Sequence, residues 1–319
     1  MLRPTIHRSD AVPFVVLLGA LAFAACDEAP PPVPLDTPDV VAALASIEPG
    51  TIEQHIEVLA DDSLEGRAPG TRGYEGAARY AEERLRDLGI LPAGENGTYR
   101  QAVPLRQSTV DEAASSMSVW TPIGTTELTY DTDFYLGADP LRETTEVETA
   151  PIAFVGFGVS APALGYDDYA DIDVEGKIVM FLSGGPSSFP SNERAYYSSG
   201  ATKTAEALSR GAIGTMTFWA PDDPRLRWEV NANRSKRGAF AWLDDSGTPN
   251  RGDERLLVSA SLNHSAVESL FQGSHTAVDD AIASVQGGTP NSFDLYTRVS
   301  FTTTTRHQRV DSWNVVGKV

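Results

Sequence analysis

Apolar residues recur along this chain with two periods, and the switches between them mark out its elements. Ile52, Ile56 and Leu59 fall at helical spacing, with Thr51 placed to cap the first turn. Ala77, Ala78, Ala81, Leu85 and Leu88 define one face of a second helix that Gly89 can end. Between them, residues 61–71 are dense in turn formers and predict a loop. From about Tyr99 to Tyr135 the period shortens to two, and Ser118-Val119-Trp120 and Glu127-Leu128-Thr129-Tyr130 read as strands. Ile152 to Val159 is strand-like, and Lys177 to Leu182 is a continuous apolar run of the kind buried on both faces of a sheet. A helix over Ala201 to Ser209, stopped by Gly211, then leads to a strand over Ile213 to Trp219. Together these predict a βαβ unit with parallel strands.

Pro221 to Arg255 is a long polar segment and reads as a solvated loop. Its clustered cations Arg225, Arg227, Arg234, Lys236 and Arg237 offer the alternative of an acidic-ligand contact. Ser265 and Glu268 form a capping box for a helix reaching about Phe271. A second helix carries Ala277, Val278, Ala281, Ile282 and Val285 inward and ends at Gly287-Gly288. The β pattern returns over Phe293 to Thr305 and again from Trp313. The closing run Ser312 to Val319 is apolar and strand-like, an edge that folded proteins normally cover. The chain is accordingly read as the front portion of a larger protein.

Composition narrows the function. A hydrophobic content of 41% suits a globular protein, and a net charge of -19 argues against nucleic acid as a partner. Arg3, His7 and Arg8 precede an uncharged apolar run from Ala11 to Ala25, too short to span a bilayer comfortably and suited to a secretion signal. Phe23-Ala24-Ala25-Cys26 resembles a bacterial lipobox, with Phe23 where leucine is usual, and makes Cys26 a lipid attachment site. A plain secretory signal with an incidental cysteine is the alternative. Either implies an exported chain, a cell-envelope lipoprotein or a periplasmic or secreted protein, that meets a membrane only through such an anchor. Because Cys26 is the only cysteine, no internal disulfide and no multi-cysteine metal site can form. Asp27 to Pro38, rich in proline and acid, reads as a tether.

Three blocks carry a family resemblance. The first runs Leu59-Ala60-Asp61-Asp62-Ser63-Leu64-Glu65-Gly66-Arg67-Ala68-Pro69-Gly70-Thr71-Arg72-Gly73, through Leu88-Gly89-Ile90, to Pro92-Ala93-Gly94-Glu95-Asn96-Gly97-Thr98-Tyr99. The second comprises Phe154 to Val159, Gly165-Tyr166-Asp167-Asp168-Tyr169, Asp173 to Val179 and the Ala205 to Gly214 helix and turn. The third is Asn314-Val315-Val316-Gly317. Together they resemble metallopeptidase family twenty-eight, co-catalytic zinc aminopeptidases, in the exported form whose peptidase domain carries an inserted protease-associated domain.

The resemblance implies an α/β fold: an incomplete peptidase domain of helices and strands with an inserted α/β protease-associated domain. The implied order is a signal peptide at 1–25, a flexible linker at 26–50, the N-terminal part of the peptidase domain at 51–150, the insert at 151–288 and return strands at 289–319. It also implies peptide or protein substrates and two zinc ions that activate water with a glutamate base. The family's first metal ligand lies in a His-x-Asp motif. Two places after His7, His55, His264, His275 and His307 stand Ser9, Glu57, Ala266, Ala277 and Arg309, none an aspartate. No catalytic residue and no metal ligand is therefore assigned, and zinc is expected in the full-length enzyme rather than on this chain.

The remaining candidates have plainer readings. His7 belongs to the signal segment and the other histidines read as helix, loop or strand residues; Asp61, Asp62 and Glu65 read as solvated turn acids, with an acid/base pair as the alternative, and Glu65-Gly66-Arg67 as an internal ion pair or backbone anchor, with a place near the peptidase cleft as the alternative. Ser183-Gly184-Gly185-Pro186 lacks the Lys-Ser/Thr of a phosphate loop and reads as a turn, and no Gly-x-Ser-x-Gly elbow occurs. Two functions follow: the N-terminal portion of an exported zinc aminopeptidase, itself without the metal site, or a non-catalytic envelope lipoprotein that uses the protease-associated domain to bind peptides or other partners.

Overall fold

The structure is a computed structural model that describes residues 37–319, in two units divided between Ala60 and Asp61. The secretion signal, the lipid attachment site Cys26, His7 and most of the tether lie outside the described residues. The first unit holds helices α1 (Pro38–Ala45) and α2 (Pro49–Ala60), neither with a buried residue. Proline opens α1, where its fixed φ suits a helix and its missing N–H costs nothing.

The second unit opens with a 3-10 turn, Asp62–Arg67, and helix α3 (Arg72–Asp87), capped by the Thr71 hydroxyl accepting from the Tyr74 N–H. Gly89 at φ 72° lets the chain turn back, with Ile90 N–H bonded to Leu85 O at 3.0 Å. Short β1 (Leu91–Pro92) and long β2 (Arg100–Val110) follow, then β3 (Ser116–Thr121), β4 (Gly124–Glu127), β5 (Phe134–Leu136) and β6 (Thr144–Val155). After the two-residue strands β7 (Ser160–Ala161) and β8 (Tyr166–Asp167) come β9 (Ile178–Leu182), α4 (Ser191–Tyr197), α5 (Gly200–Ser209) and β10 (Gly214–Phe218). The chain continues through α6 (Trp228–Ser235), β11 (Ala239–Trp242), β12 (Val258–Leu262), α7 (His264–Leu270), α8 (Val278–Gln286), β13 (Ser292–Val315) and β14 (Gly317–Lys318).

Among the described residues, ten strands form one mixed sheet in the order β11-β2-β13-β6-β9-β10-β12-β5, with β3 beside β13 and β4 beside β3. Strands β6, β9, β10 and β12 are parallel neighbours, and the helical connection from β9 to β10 is the predicted βαβ unit. Pro151 lies inside β6, and β3 and β5, from the N-terminal side of that residue, join the same sheet. Apolar β9 is buried on both faces. Ile178, Met180 and Leu182 enter a large core that includes Val267 and Leu270 of α7 and Ala281, Ile282 and Val285 of α8. Val179 and Phe181 enter a smaller one with Ala207 of α5, Ala212 and Val174. Each of the large apolar side chains among them stabilises the layered arrangement by about 1.5–3 kcal/mol.

Where sequence and structure differ, the reason is pairing. The two strands read at Phe293–Thr305 and from Trp313 are one strand of 24 residues. Its first part pairs with β6 and β3, and Thr305–Val315 pairs with β2. The polar stretch 306–311 extends because β2 satisfies its backbone, which needs no apolar side chains. The segment 221–255 is not all loop. Trp228 fixes α6 through its Nε1–H to Asp131 O at 2.6 Å and a 5.1 Å ring contact with Tyr135, and β11 adds to the edge of β2. Helix α7 is capped by Asn263 rather than Ser265, whose hydroxyl instead bonds Asp133 at 3.2 Å.

Candidate functional site

Parallel strands β6, β9 and β10 end side by side at Val155, Leu182 and Phe218, and the turns beyond them rim a cleft of about 720 Å³. The C-terminal edge of parallel strands is where open α/β sheets place ligands, because the connections diverge there. Turn 183–186, which the sequence marks out by its glycines, forms one wall. Gly184 has φ 96°, and a Cβ on it would lie 3.2 Å from Arg225 Nη2. A Cβ on Gly185 would lie 3.0 Å from Ser198 Oγ at the end of α4. Glycines therefore let the turn lie against both neighbours.

A buried charge network underlies this turn. Lys203 of α5, only 2% exposed, donates from Nζ to Leu182 O at 2.9 Å and to Gly184 O, with the Phe181 and Phe157 ring centres 5.2 and 5.6 Å away. Burial pushes the Lys203 ammonium down to about 7, opposed by the charge of Asp168 and helped by that of Arg225. Asp168, equally buried, accepts from Phe157 N–H and Val159 N–H at 3.0 Å and from the Tyr166 hydroxyl at 2.9 Å. Burial lifts the Asp168 carboxyl to about 6 against the pull of these three donors. Burial and the neighbouring carboxylate both raise the Tyr166 hydroxyl. A Cβ on Gly156, at φ 40°, would lie 2.3 Å from Asp168 Oδ1, so the carboxylate occupies space that only glycine leaves.

The sequence assigned no functional role to Lys203 or to Asp168, although Asp168 falls within the second motif block. Asp168 sits in an acidic loop and Lys203 on a short helix. The available signal was that Lys203 precedes buried Ala207 by four residues, placing a lysine on the inward face of α5.

The other sequence candidates lie apart. Asp61 caps the turn after α2, bonding Ser63 N–H at 2.9 Å, and the bonds from Ser63 hold its carboxyl below the usual range. Glu65 pairs with Arg72 at 3.0 Å, both exposed, and not with Arg67. Glu65, Gly66 and Arg67 all have φ between 49° and 74°. Left-handed backbone costs the two non-glycine residues about 1–2 kcal/mol each. Of the five cations in 225–237, Arg225 lines the cleft, held by Asp223 through Nε at 2.9 Å and Nη2 at 2.5 Å. Lys236 instead pairs with Asp131 and with Glu112.

The histidines do not converge. His55 is on α2, the His275 ring packs at a tilt of 60° against Phe293 with centres 4.7 Å apart, and His307 Nε2 lies 2.8 Å from Asp139 O. His264 Nε2 is 3.6 Å from Glu268 and 3.8 Å from Asp279, whose side chains are 61% and 79% exposed. Among the described residues no group of three or more His, Cys, Asp or Glu is placed to hold a metal ion. These residues do not fit a pair of zinc ions, so no zinc-dependent step is derived on them.

No family model matches the sequence, and no curated protein does. Solved structures similar to this chain include an aminopeptidase from Aneurinibacillus sp. strain AM-1, with TM-score 0.38 and 15% identity over 82% of this chain and 49% of that one. Another is BSAP, a zinc aminopeptidase from Bacillus subtilis, with TM-score 0.32 and 13% identity over 83% of this chain and 45% of that one. The chain spans about half the length of these structures.

Proposed function

We propose that this chain forms part of an exported zinc aminopeptidase and contributes a protease-associated module beside the catalytic domain rather than the metal ligands. The motif blocks between Leu59 and Gly317 support the reading, and one structural observation carries it. Strand β2 and the second half of β13 run antiparallel from Val110↔Thr305 to Arg100↔Val315. The chain thus enters the sheet along β2 and leaves it along β13 side by side, so both ends of the sheet-forming segment meet at one place, as the ends of a unit inserted into a host do.

Elements from both sides of the excursion meet at that root. Strand β1 pairs with β14, and the Tyr74 hydroxyl of α3 donates to Trp313 O. Arg100 joins Glu75 of α3 through two bonds, at 2.6 and 3.0 Å, and reaches Glu82 at 2.5 Å. In the proposed enzyme the module would be lipid-anchored at Cys26 or secreted free, and would act on peptides.

Leucine p-nitroanilide hydrolysis tests the proposal. Chelator-sensitive activity from the complete reading frame that contains this chain, with none from the chain alone in added zinc, is the expected result. Activity from the isolated chain, or chelator-resistant activity from the complete frame, would contradict it.

A further inference from the structure

The cleft at the ends of β6, β9 and β10 is rich in donors that have no protein acceptor. Among the described residues, the hydroxyls of Ser183, Ser187, Ser191 and Ser198 make no hydrogen bond to another protein group, and neither do the Gln286 amide and the Arg194 guanidinium. The N–H groups of Gly184 and Gly185, in the turn that forms one wall, also donate to no acceptor among the described residues. Asp223, the single lining carboxylate among the described residues, is already held by Arg225 through two side-chain bonds and by the Arg225 N–H at 2.9 Å. Lys203 lies under the same turn, its Nζ bonded to the carbonyls of Leu182 and Gly184. Those carbonyls therefore face the buried amine.

In a protein of net charge -19 this is a local surplus of positive charge and of hydrogen-bond donors. The complement to such a lining is an anion with several acceptor oxygens. The volume of about 720 Å³ is far larger than a bare ion needs, and Phe157, Ala195 and Ala220 supply apolar wall. We propose that this cleft binds peptides through a carboxylate, with Arg194 as the group that meets it. The choice of a peptide rests on the aminopeptidase reading, whereas the donor surplus does not. The carboxylate could be a peptide's C-terminus or an acidic side chain, since the two share one chemistry.

Calorimetric titration of the whole chain distinguishes the sources. The probes are N-acetyl-alanyl-alanine with a free C-terminus, its amide, an amidated acetyl peptide with one internal glutamate, succinate and inorganic phosphate. Binding of the free acid but not its amide assigns the terminal carboxylate, and binding of the internal-glutamate peptide assigns the side chain. In either case Arg194→Gln should weaken binding about ten- to a hundredfold, and Arg194→Lys should restore much of it. Arg194 is exposed and its side chain has no partner among the described residues, so both variants should melt with the parent. Absence of binding by all peptides, an affinity unchanged in Arg194→Gln, or binding of succinate or phosphate alone would overturn the proposal. None of these results bears on whether the chain holds zinc, so this inference and the aminopeptidase reading fail separately.

Discussion

Replacing Lys203 by methionine keeps much of the volume beneath the 183–186 turn but removes its buried charge, and the consequence should depend on pH. The fall in the ammonium's pKa from 10.5 in water to about 7 corresponds to about 5 kcal/mol, the most that burying the charged form can cost. The folded value lies below the unfolded one, so between about pH 7 and 10.5 the unfolded chain holds more protons, and stability from this group rises with pH. The limiting slope is about 1.4 kcal/mol per pH unit. Between about pH 7.5 and 9 the parent should therefore gain about 2 kcal/mol relative to Lys203→Met. Other groups titrate in both proteins and largely cancel in the difference. At acid pH the variant escapes the cost of the charge but leaves the Leu182 and Gly184 carbonyls without their donor, a loss of about 1–3 kcal/mol each. Urea unfolding of both proteins across this range is the assay. Stability curves that stay parallel from about pH 7.5 to 9 would refute the placement of an ammonium in a dry site.

Other perturbations probe the remaining contacts. Gly156→Ala puts a Cβ 2.3 Å from Asp168 Oδ1 at φ 40°, and should lower unfolding stability by about 2–4 kcal/mol in denaturant titrations. Arg100→Gln breaks the links to Glu75 and Glu82 where β2 begins beside the end of β13, and should cost about 1–2 kcal/mol after allowance for partial exposure. Arg100 holds the Glu75 carboxyl below its usual range, so this contribution is present above about pH 4.5 and is lost as pH falls. In Arg100→Gln the acid-induced loss of stability should accordingly be shallower than in the parent. Trp228→Ala removes the anchor of α6 on Tyr135 and Asp131, and should speed amide exchange over residues 228–235 while strands β9 and β10 stay protected.

The elements whose burial dictates their side chains were readable from the sequence. Strand β9 announces itself because both faces meet core, and α8 because Val278, Ala281, Ile282 and Val285 all point inward. Elements held by their backbone or by one anchor were not. Polar 306–311 becomes strand because β2 lies alongside, and α6 forms from a polar segment because Trp228 docks it. The cleft was harder still. Its parts come from turns far apart in the chain, and Lys203 and Asp168 become unusual only when folding removes water from both. Ser183-Gly184-Gly185-Pro186 was visible as a turn, but its place beside Arg225 and above Lys203 follows only from the sheet order.

The central claim, that metal ligation belongs to other residues of the proposed enzyme, is tested most directly by zinc stoichiometry. The purified chain would be equilibrated with zinc, passed through a desalting column and measured by elemental mass spectrometry alongside its unfolding curve. The account predicts a folded chain that retains well under one zinc ion per molecule. Retention of two ions by the folded chain, lost when His264 or its acidic neighbours are replaced, would contradict it.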